Sequence, residues 1–125
     1  MPGERKGCMN KREIGTKKEQ QAIEFLKEKG IRIVCCNFRT RFGEIDIIGK
    51  DKETLVFFEV KYRKDLSKGN PLEAVTYQKQ KKICKVADFY RMSHGIHDFI
   101  SVRFDVVAIL GNEITWIRDA FPYAY

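Results

Sequence analysis

The segment 54–63 constrains the fold most, because it reads as an apolar strand that ends in charge. Leu55–Phe58 is wholly apolar, and Glu59, Lys61 and Arg63 then alternate with uncharged residues. Side chains alternate between the two faces of a strand, so the three charges continue one row of the apolar half. A buried row that ends in an acid and two bases places Glu59 and Lys61 at the rim of the core.

The segments around this strand predict an α/β fold. We predict helices over 15–29 and 70–92, and strands over 31–38, 44–48, 54–63, 102–110 and 114–117. Asn70, Pro71 and Glu73 form the start signal of the second helix. Short turns between the first three strands predict an antiparallel meander, followed by a helical crossover. The order predicts a mixed β-sheet flanked by helices in an α/β sandwich.

The second strand adds a carboxylate. Alternation predicts that Ile45 and Ile47 face one way and Asp46 the other. A meander brings Asp46 close to Glu59 if the intervening turn sets that register. Two adjacent carboxylates resist joint ionisation. A divalent cation removes the conflict, and Mg²⁺ prefers such oxygen ligands, so we predict a metal site formed by Asp46, Glu59 and the carbonyl of Val60.

This residue set suits phosphodiester hydrolysis. A bound metal polarises a phosphoryl oxygen and lowers the pKa of a water ligand. The ammonium of Lys61 can orient that water or stabilise negative charge in the transition state. The alternative is an ordinary ion pair between Lys61 and either Asp46 or Glu59.

Two further charges fall on predicted apolar helix stripes. Glu19 lies three residues before Ala22 on the first helix, and Lys79 lies four residues after Val75 on the second. A half-buried carboxylate needs a partner, so Glu19 belongs either to a local salt bridge or to the site. Lys79 either snorkels to solvent or joins the site. Inward charges on four separate elements favour a common site.

The charge balance favours a polyanionic partner. The chain has 24 Lys and Arg against 17 Asp and Glu, a formal net charge of +7. No apolar run approaches the roughly 20 residues needed to span a bilayer, so nucleic acid is the favoured partner rather than a membrane. A solvated basic surface is the alternative. The residues predicted to bind nucleic acid are Arg39, Arg41, Arg63, Lys64, Lys68, Lys79 and Lys82.

The N-terminus and the cysteines indicate a cytoplasmic protein. The basic segment 1–12 lacks the apolar stretch of a secretory signal, so we predict a flexible tail followed by one domain over 13–125. The four cysteines show no CxxC pair, which argues against zinc and favours reduced thiols. The adjacent Cys35 and Cys36 should face opposite sides of a strand.

Several motifs together resemble the YraN family of bacterial proteins. They are Gly15-x-x-x-Glu19-x-x-Ala22-x-x-Phe25-Leu26, Asn37-Phe38-Arg39, Gly43-Glu44-Ile45-Asp46-Ile47-Ile48, Val56 to Arg63, Ala74-Val75-Thr76 with Lys79, and Arg103-Phe104-Asp105-Val106. The resemblance covers nearly the whole chain after the tail.

This resemblance implies a restriction-endonuclease-like αβββαβ core of the PD-(D/E)XK nuclease superfamily, similar to archaeal Holliday-junction resolvases. It implies Asp46, Glu59 and Lys61 as the catalytic triplet and Glu19 as an accessory acid beside Mg²⁺ or Mn²⁺. Lys79, or its neighbour Gln78, occupies the place of a polar residue on the second helix. The sequence departs from the motif's name, because an isoleucine rather than a proline precedes Asp46.

The leading hypothesis is a metal-dependent endonuclease that hydrolyses phosphodiester bonds in nucleic acid, with DNA favoured over RNA. Cleavage of both strands of a duplex would favour a homodimer. One alternative is a non-catalytic nucleic-acid-binding module that retains the fold. Another is an adaptor whose basic face docks an acidic protein partner.

Overall fold

The computed structural model describes residues 17–96 and 100–124. The predicted tail, 1–12, lies outside the described residues, as does Gly15. The helices are α1 (Lys17–Glu28) and α2 (Tyr77–Ser93), and the strands are β1 (Arg32–Thr40), β2 (Gly43–Asp51), β3 (Thr54–Arg63), β4 (Val102–Leu110) and β5 (Glu113–Ile117). Short 3₁₀ turns at Leu66–Lys68 and Pro71–Ala74 lie between β3 and α2.

The five strands form one mixed sheet in the order β1-β2-β3-β4-β5. β3 and β4 are parallel, and the other neighbouring pairs are antiparallel. A parallel pair needs a long crossover, which α2 provides. The predicted α/β architecture and mixed sheet are therefore confirmed.

Each face of the sheet carries one helix and one apolar core. On what we call the α1 face, Val56 and Phe58 of β3 pack in a cluster with Leu26 of α1. On the α2 face, Leu55 and Phe57 pack in a cluster that includes the buried side of α2. The apolar half of β3 is thus buried on both faces, as its unbroken apolar run requires. No helix within 17–96 or 100–124 is both long and apolar enough to cross a bilayer.

The second helix starts later than predicted. Asn70 caps only the 3₁₀ turn, where its side chain accepts a hydrogen bond from the Leu72 N–H at 2.9 Å. The backbone then leaves helical geometry at Val75 and Thr76. The Thr76 hydroxyl accepts from the Lys79 N–H at 3.2 Å and starts α2. Two cap signals follow each other, and the prediction took the first for the helix start.

The cysteines follow the predicted faces but only in part the predicted redox state. Cys35 lies in the α2-face core, whereas Cys36 packs against the α1-face core. Cys36 and Cys84 carry free thiols. Cys35 is disulfide-bonded, so the expectation of reduced thiols is wrong for that residue.

Candidate active site

The site lies where β2 and β3 stop pairing. The last paired residues at this end are Ile47 and Phe58. The next step of the same register would place Asp46 opposite Glu59. Instead, Oδ2 of Asp46 accepts a hydrogen bond from the Val60 N–H at 2.8 Å. A side chain thus takes the place of a backbone partner, and it does so next to Glu59, as predicted.

The predicted alternation along β2 is wrong at this point. Ile47 belongs to the α1-face core, whereas Ile45 belongs to the α2-face core. Residues two apart on a regular strand share a face, so the strand must reverse its faces at Asp46. The carboxylate of Asp46 therefore does not stand on one face of the sheet but in the gap beside β3.

Three carboxylates converge around this gap. One oxygen each from Glu19, Glu44 and Asp46 lies within 4.8 Å of the others. Glu19 comes from the first turn of α1, and the other two come from β2. All three residues are half-buried. Glu19 therefore lies beside Asp46, and its role as an accessory acid stays a prediction.

Sequence reasoning did not include Glu44 in the site. It lies two residues before Asp46, and that spacing on a strand is a signal that could have identified it. Its closest described basic partner is Arg39 on β1, with Nε 3.1 Å from Oε1. Arg39, predicted to bind nucleic acid, therefore lies at the rim of the acid cluster.

The environment of Asp46 disfavours its charged form. Burial raises the pKa of this carboxyl well above its ordinary value, and the negative charge of Glu59 raises it further. Glu19 and Glu44 act in the same direction, while the hydrogen bond from Val60 opposes them. A nearby cation would therefore stabilise the charged form of Asp46.

Glu59 lies beside the acid cluster and is held by two lysines. Its side chain is 4% exposed, and Oε2 lies 3.2 Å from Nζ of Lys61 and 3.6 Å from Nζ of Lys79. The ion pair that stood as the alternative for Lys61 is therefore present. Lys79 reaches across from α2, so its interruption of the apolar stripe is explained by an acid partner. Two ammonium groups against one carboxylate leave positive charge beside the acids.

The other predicted basic residues are spread over the surface. Arg41 packs over the ring of Phe42 at 5.1 Å in the β1–β2 turn. Arg63 ends β3 and is half-buried, while Lys64 and Lys68 are exposed in the segment that follows. Lys82 is exposed on α2 and lines a groove of about 600 Å³ with Gln78, Lys81, Lys85, Asp88 and Ala124. Of the predicted basic set, Lys79 and Arg39 contact site acids directly.

The fold and the site define a class of protein. It is an α/β domain with a mixed sheet, in which acids and lysines from both helices and from two strands lie close together. The sequence profile of the "Uncharacterised protein family UPF0102" matches residues 18–109, and the chain belongs to this family. This is the family that its motifs resemble.

Relatives match along almost their full length. A UPF0102 protein of Lachnoclostridium phytofermentans is 44% identical over 113 residues, covering 90% of this chain and 96% of the relative. A UPF0102 protein of Caldicellulosiruptor saccharolyticus is 42% identical over 119 residues, covering 90% of this chain and 100% of the relative. A UPF0102 protein of Legionella pneumophila strain Corby is 41% identical over 111 residues, covering 87% and 94%.

Proposed function

We propose that this protein is a metal-dependent endonuclease that hydrolyses phosphodiester bonds in nucleic acid, with DNA as the favoured substrate. The observation that carries the proposal is the convergence of carboxylates from α1 and β2 to within 4.8 Å. Like charges gather at a cost unless a cation neutralises them. The fold by itself does not define the chemistry, whereas the residues of the site do.

The donor set fits Mg²⁺ or Mn²⁺. Every side chain in the acid cluster offers carboxylate oxygen, which these hard cations prefer over nitrogen or sulfur. Asp46 belongs to two possible ligand sets. The observed cluster adds Glu19 and Glu44 to it. The set predicted from the sequence adds Glu59 and the carbonyl of Val60. When bound, such an ion polarises a phosphoryl oxygen and acidifies a coordinated water.

The lysines supply the positive charge that the reaction needs. Lys61 and Lys79 meet at Glu59, whose negative charge in turn acts on Asp46. In the proposed reaction Lys61 orients the attacking water or stabilises the charge that develops on the phosphoryl oxygens. The remaining basic residues, Arg39, Arg41, Arg63, Lys64, Lys68 and Lys82, would hold the phosphate backbone without sequence preference.

We also propose that the protein belongs to the PD-(D/E)XK nuclease superfamily. The order of α1, three antiparallel strands, α2 and a parallel β4 supports membership of the PD-(D/E)XK nucleases, as does the placement of Asp46 and Glu59-x-Lys61 on adjacent strands. We include in the proposal the likeness to archaeal Holliday-junction resolvases, a cytoplasmic location, and a homodimer for cleavage of two strands.

Cleavage assays test the proposal. Labelled duplex, single-stranded, flap and four-way-junction DNA are incubated with the protein, with and without Mn²⁺. We expect metal-dependent cleavage that falls at least about 100-fold in Asp46→Asn and in Lys61→Met, in the range of lost electrostatic stabilisation. Asp51→Asn is the matched control, because it makes the same change on the same strand away from the acid cluster. Equal cleavage by Asp46→Asn and wild type would refute the proposal.

The ion-paired state of Glu59 supports a second candidate, a non-catalytic nucleic-acid-binding module. Glu59 is neutralised by Lys61 and Lys79 without any metal. This candidate predicts salt-dependent binding of DNA, no cleavage with any divalent metal, and unchanged binding by Lys61→Met. The same gel series therefore separates the two candidates.

A further inference from the structure

Asn37 has an unusual backbone conformation for a residue in the middle of a strand. Its φ is 52°, in the left-handed region, and its side chain is 3% exposed. The other described non-glycine residues with positive φ, Lys52 and Asp119, lie in turns rather than within strands. Asparagine tolerates this region better than most residues, but within a strand it breaks the regular pleat.

The register places Asn37 directly opposite Asp46. Cys36 pairs with Ile47 on one side, and Phe38 pairs with Ile45 on the other. Asn37 and Asp46 are therefore the residues between two paired rungs of the same ladder.

Both strands reverse their faces at this rung. In β1, Cys36 packs against the α1-face core and Phe38 lies in the α2-face core. In β2, Ile47 lies on the α1 face and Ile45 on the α2 face. The left-handed residue is in β1, so the reversal of β1 has a local backbone cause, and β2 follows it through the rungs on either side.

The reversal determines what Asp46 can reach. With regular alternation Asp46 would share the α2 face with Ile48, away from Glu19 on α1. With the reversal, its carboxylate turns into the gap beside β3, accepts the Val60 N–H and meets acids from both faces.

We propose that Asn37 is a positioning residue for Asp46, and that its left-handed backbone, rather than its side-chain amide, brings the acids of the two faces together. The role in catalysis rests on the proposed function, whereas the geometric role does not.

A pair of substitutions separates backbone from side chain. Asn37→Gly keeps access to positive φ, and Asn37→Ala opposes it. The matched control pair is Lys52→Gly and Lys52→Ala, because Lys52 has φ 56° in the β2–β3 turn. The control carries the same kind of backbone strain without facing Asp46.

The geometric readout is amide hydrogen exchange of Val60, measured by NMR and normalised to each variant's global stability. We expect Asn37→Ala to lower Val60 protection about tenfold relative to Asn37→Gly, the size expected for strain at one residue. The Lys52 pair should show no such difference. Equal Val60 protection in the two Asn37 variants would overturn the proposal.

Mn²⁺ binding to the same variants tests the consequence for the site. We expect weaker binding in Asn37→Ala and recovery in Asn37→Gly. If wild type binds no Mn²⁺, the proposed function fails, while Val60 exchange still decides the role of Asn37. If Asn37→Ala does not fold, Asn37→Gly suffices, because loss of Val60 protection in that variant also overturns the proposal.

Discussion

Two aspartates in this protein, Asp105 and Asp46, have opposite surroundings. Asp105 on β4 is 0% exposed and accepts hydrogen bonds of 2.9 Å from Nε and Nη2 of Arg103, Nε1 of Trp116 and the Asp119 N–H. Among the described residues, Asp46 accepts one hydrogen bond, from Val60, and has Glu59, Glu19 and Glu44 as neighbours. One carboxylate is surrounded by donors, and the other by acids.

The difference shows which carboxylate stabilises the fold. Arg103 also contacts Asp51 at 3.0 Å, so the Asp105 network ties β4 to the end of β2 and, through Trp116, to β5. The hydrogen bond to Asp105 raises the pKa of Arg103. Asp46 has no comparable partner among the described residues. A carboxyl held in a destabilised charge state is typical of a functional site.

The largest change in the free energy of unfolding is expected when Asp105 is replaced. Asp105→Ala leaves the Arg103 guanidinium and the Trp116 N–H without their acceptor, and breaking a buried ion pair costs about 3–5 kcal/mol. Urea unfolding measures the loss. Asp51→Asn, which removes a half-exposed partner of the same arginine, should cost far less. A loss below about 1 kcal/mol in Asp105→Ala would show that the network does not stabilise the fold.

For substitution of Asp46 we expect a gain in stability instead of a loss. Asp46→Asn keeps an acceptor for the Val60 N–H but removes one charge from the acid cluster. At pH 8 without metal, the variant should be more stable than wild type by about 1 kcal/mol, the usual gain from relieving charge repulsion. Urea unfolding is again the measurement. Destabilisation by Asp46→Asn would mean that the carboxylate is structural, like Asp105.

The pH dependence sharpens this prediction. The folded pKa of Asp46 lies above its ordinary value of 3.8, so its protonated form favours the folded state. That contribution is fully present below the ordinary pKa and is lost as pH rises through the raised folded pKa. The stability advantage of Asp46→Asn over wild type should therefore grow with pH across that window and level off above it. An advantage that does not change from pH 4 to pH 8 would contradict the raised pKa.

The sequence predicted best where one pattern decides the structure. The predicted bounds of β3 and β4 match the observed ones, because long apolar runs bounded by turns have few alternatives. The start of α2 was wrong because Asn70 and Thr76 both carry cap signals, and only tertiary packing selects between them.

In the site, too, some features were predicted from the sequence and others were not. Strand alternation predicted that Glu59 and Lys61 meet near Asp46, and helix periodicity made Lys79 a candidate for the same site. Lys61 and Lys79 both contact Glu59. The reversal at Asn37 was not predicted, because period-two reasoning assumes that each strand keeps its faces. Glu44 was missed for another reason: its spacing of two residues from Asp46 was available in the sequence but was not used.

The smallest expected change in stability comes from Glu44, and it tests which acids work with Asp46. Glu44→Gln loses an exposed ion pair with Arg39, worth up to about 1 kcal/mol. It also relieves repulsion from Asp46 and Glu19, so the two effects offset and the net change should stay within about 0.5 kcal/mol.

The effect of Glu44→Gln on metal binding should be much larger than its effect on stability. If the cation is held by the observed cluster, the rise in melting temperature caused by Mn²⁺ should shrink in Glu44→Gln, because weaker binding gives less stabilisation of the folded state. Arg39→Met should enlarge the rise in melting temperature caused by Mn²⁺, because it removes the competing cation from Glu44. Thermal melts with and without Mn²⁺ measure both, with Asp51→Asn as the control. An unchanged Mn²⁺ effect in Glu44→Gln would assign the cation to Asp46 and Glu59 instead, because Glu44 would then contribute only charge.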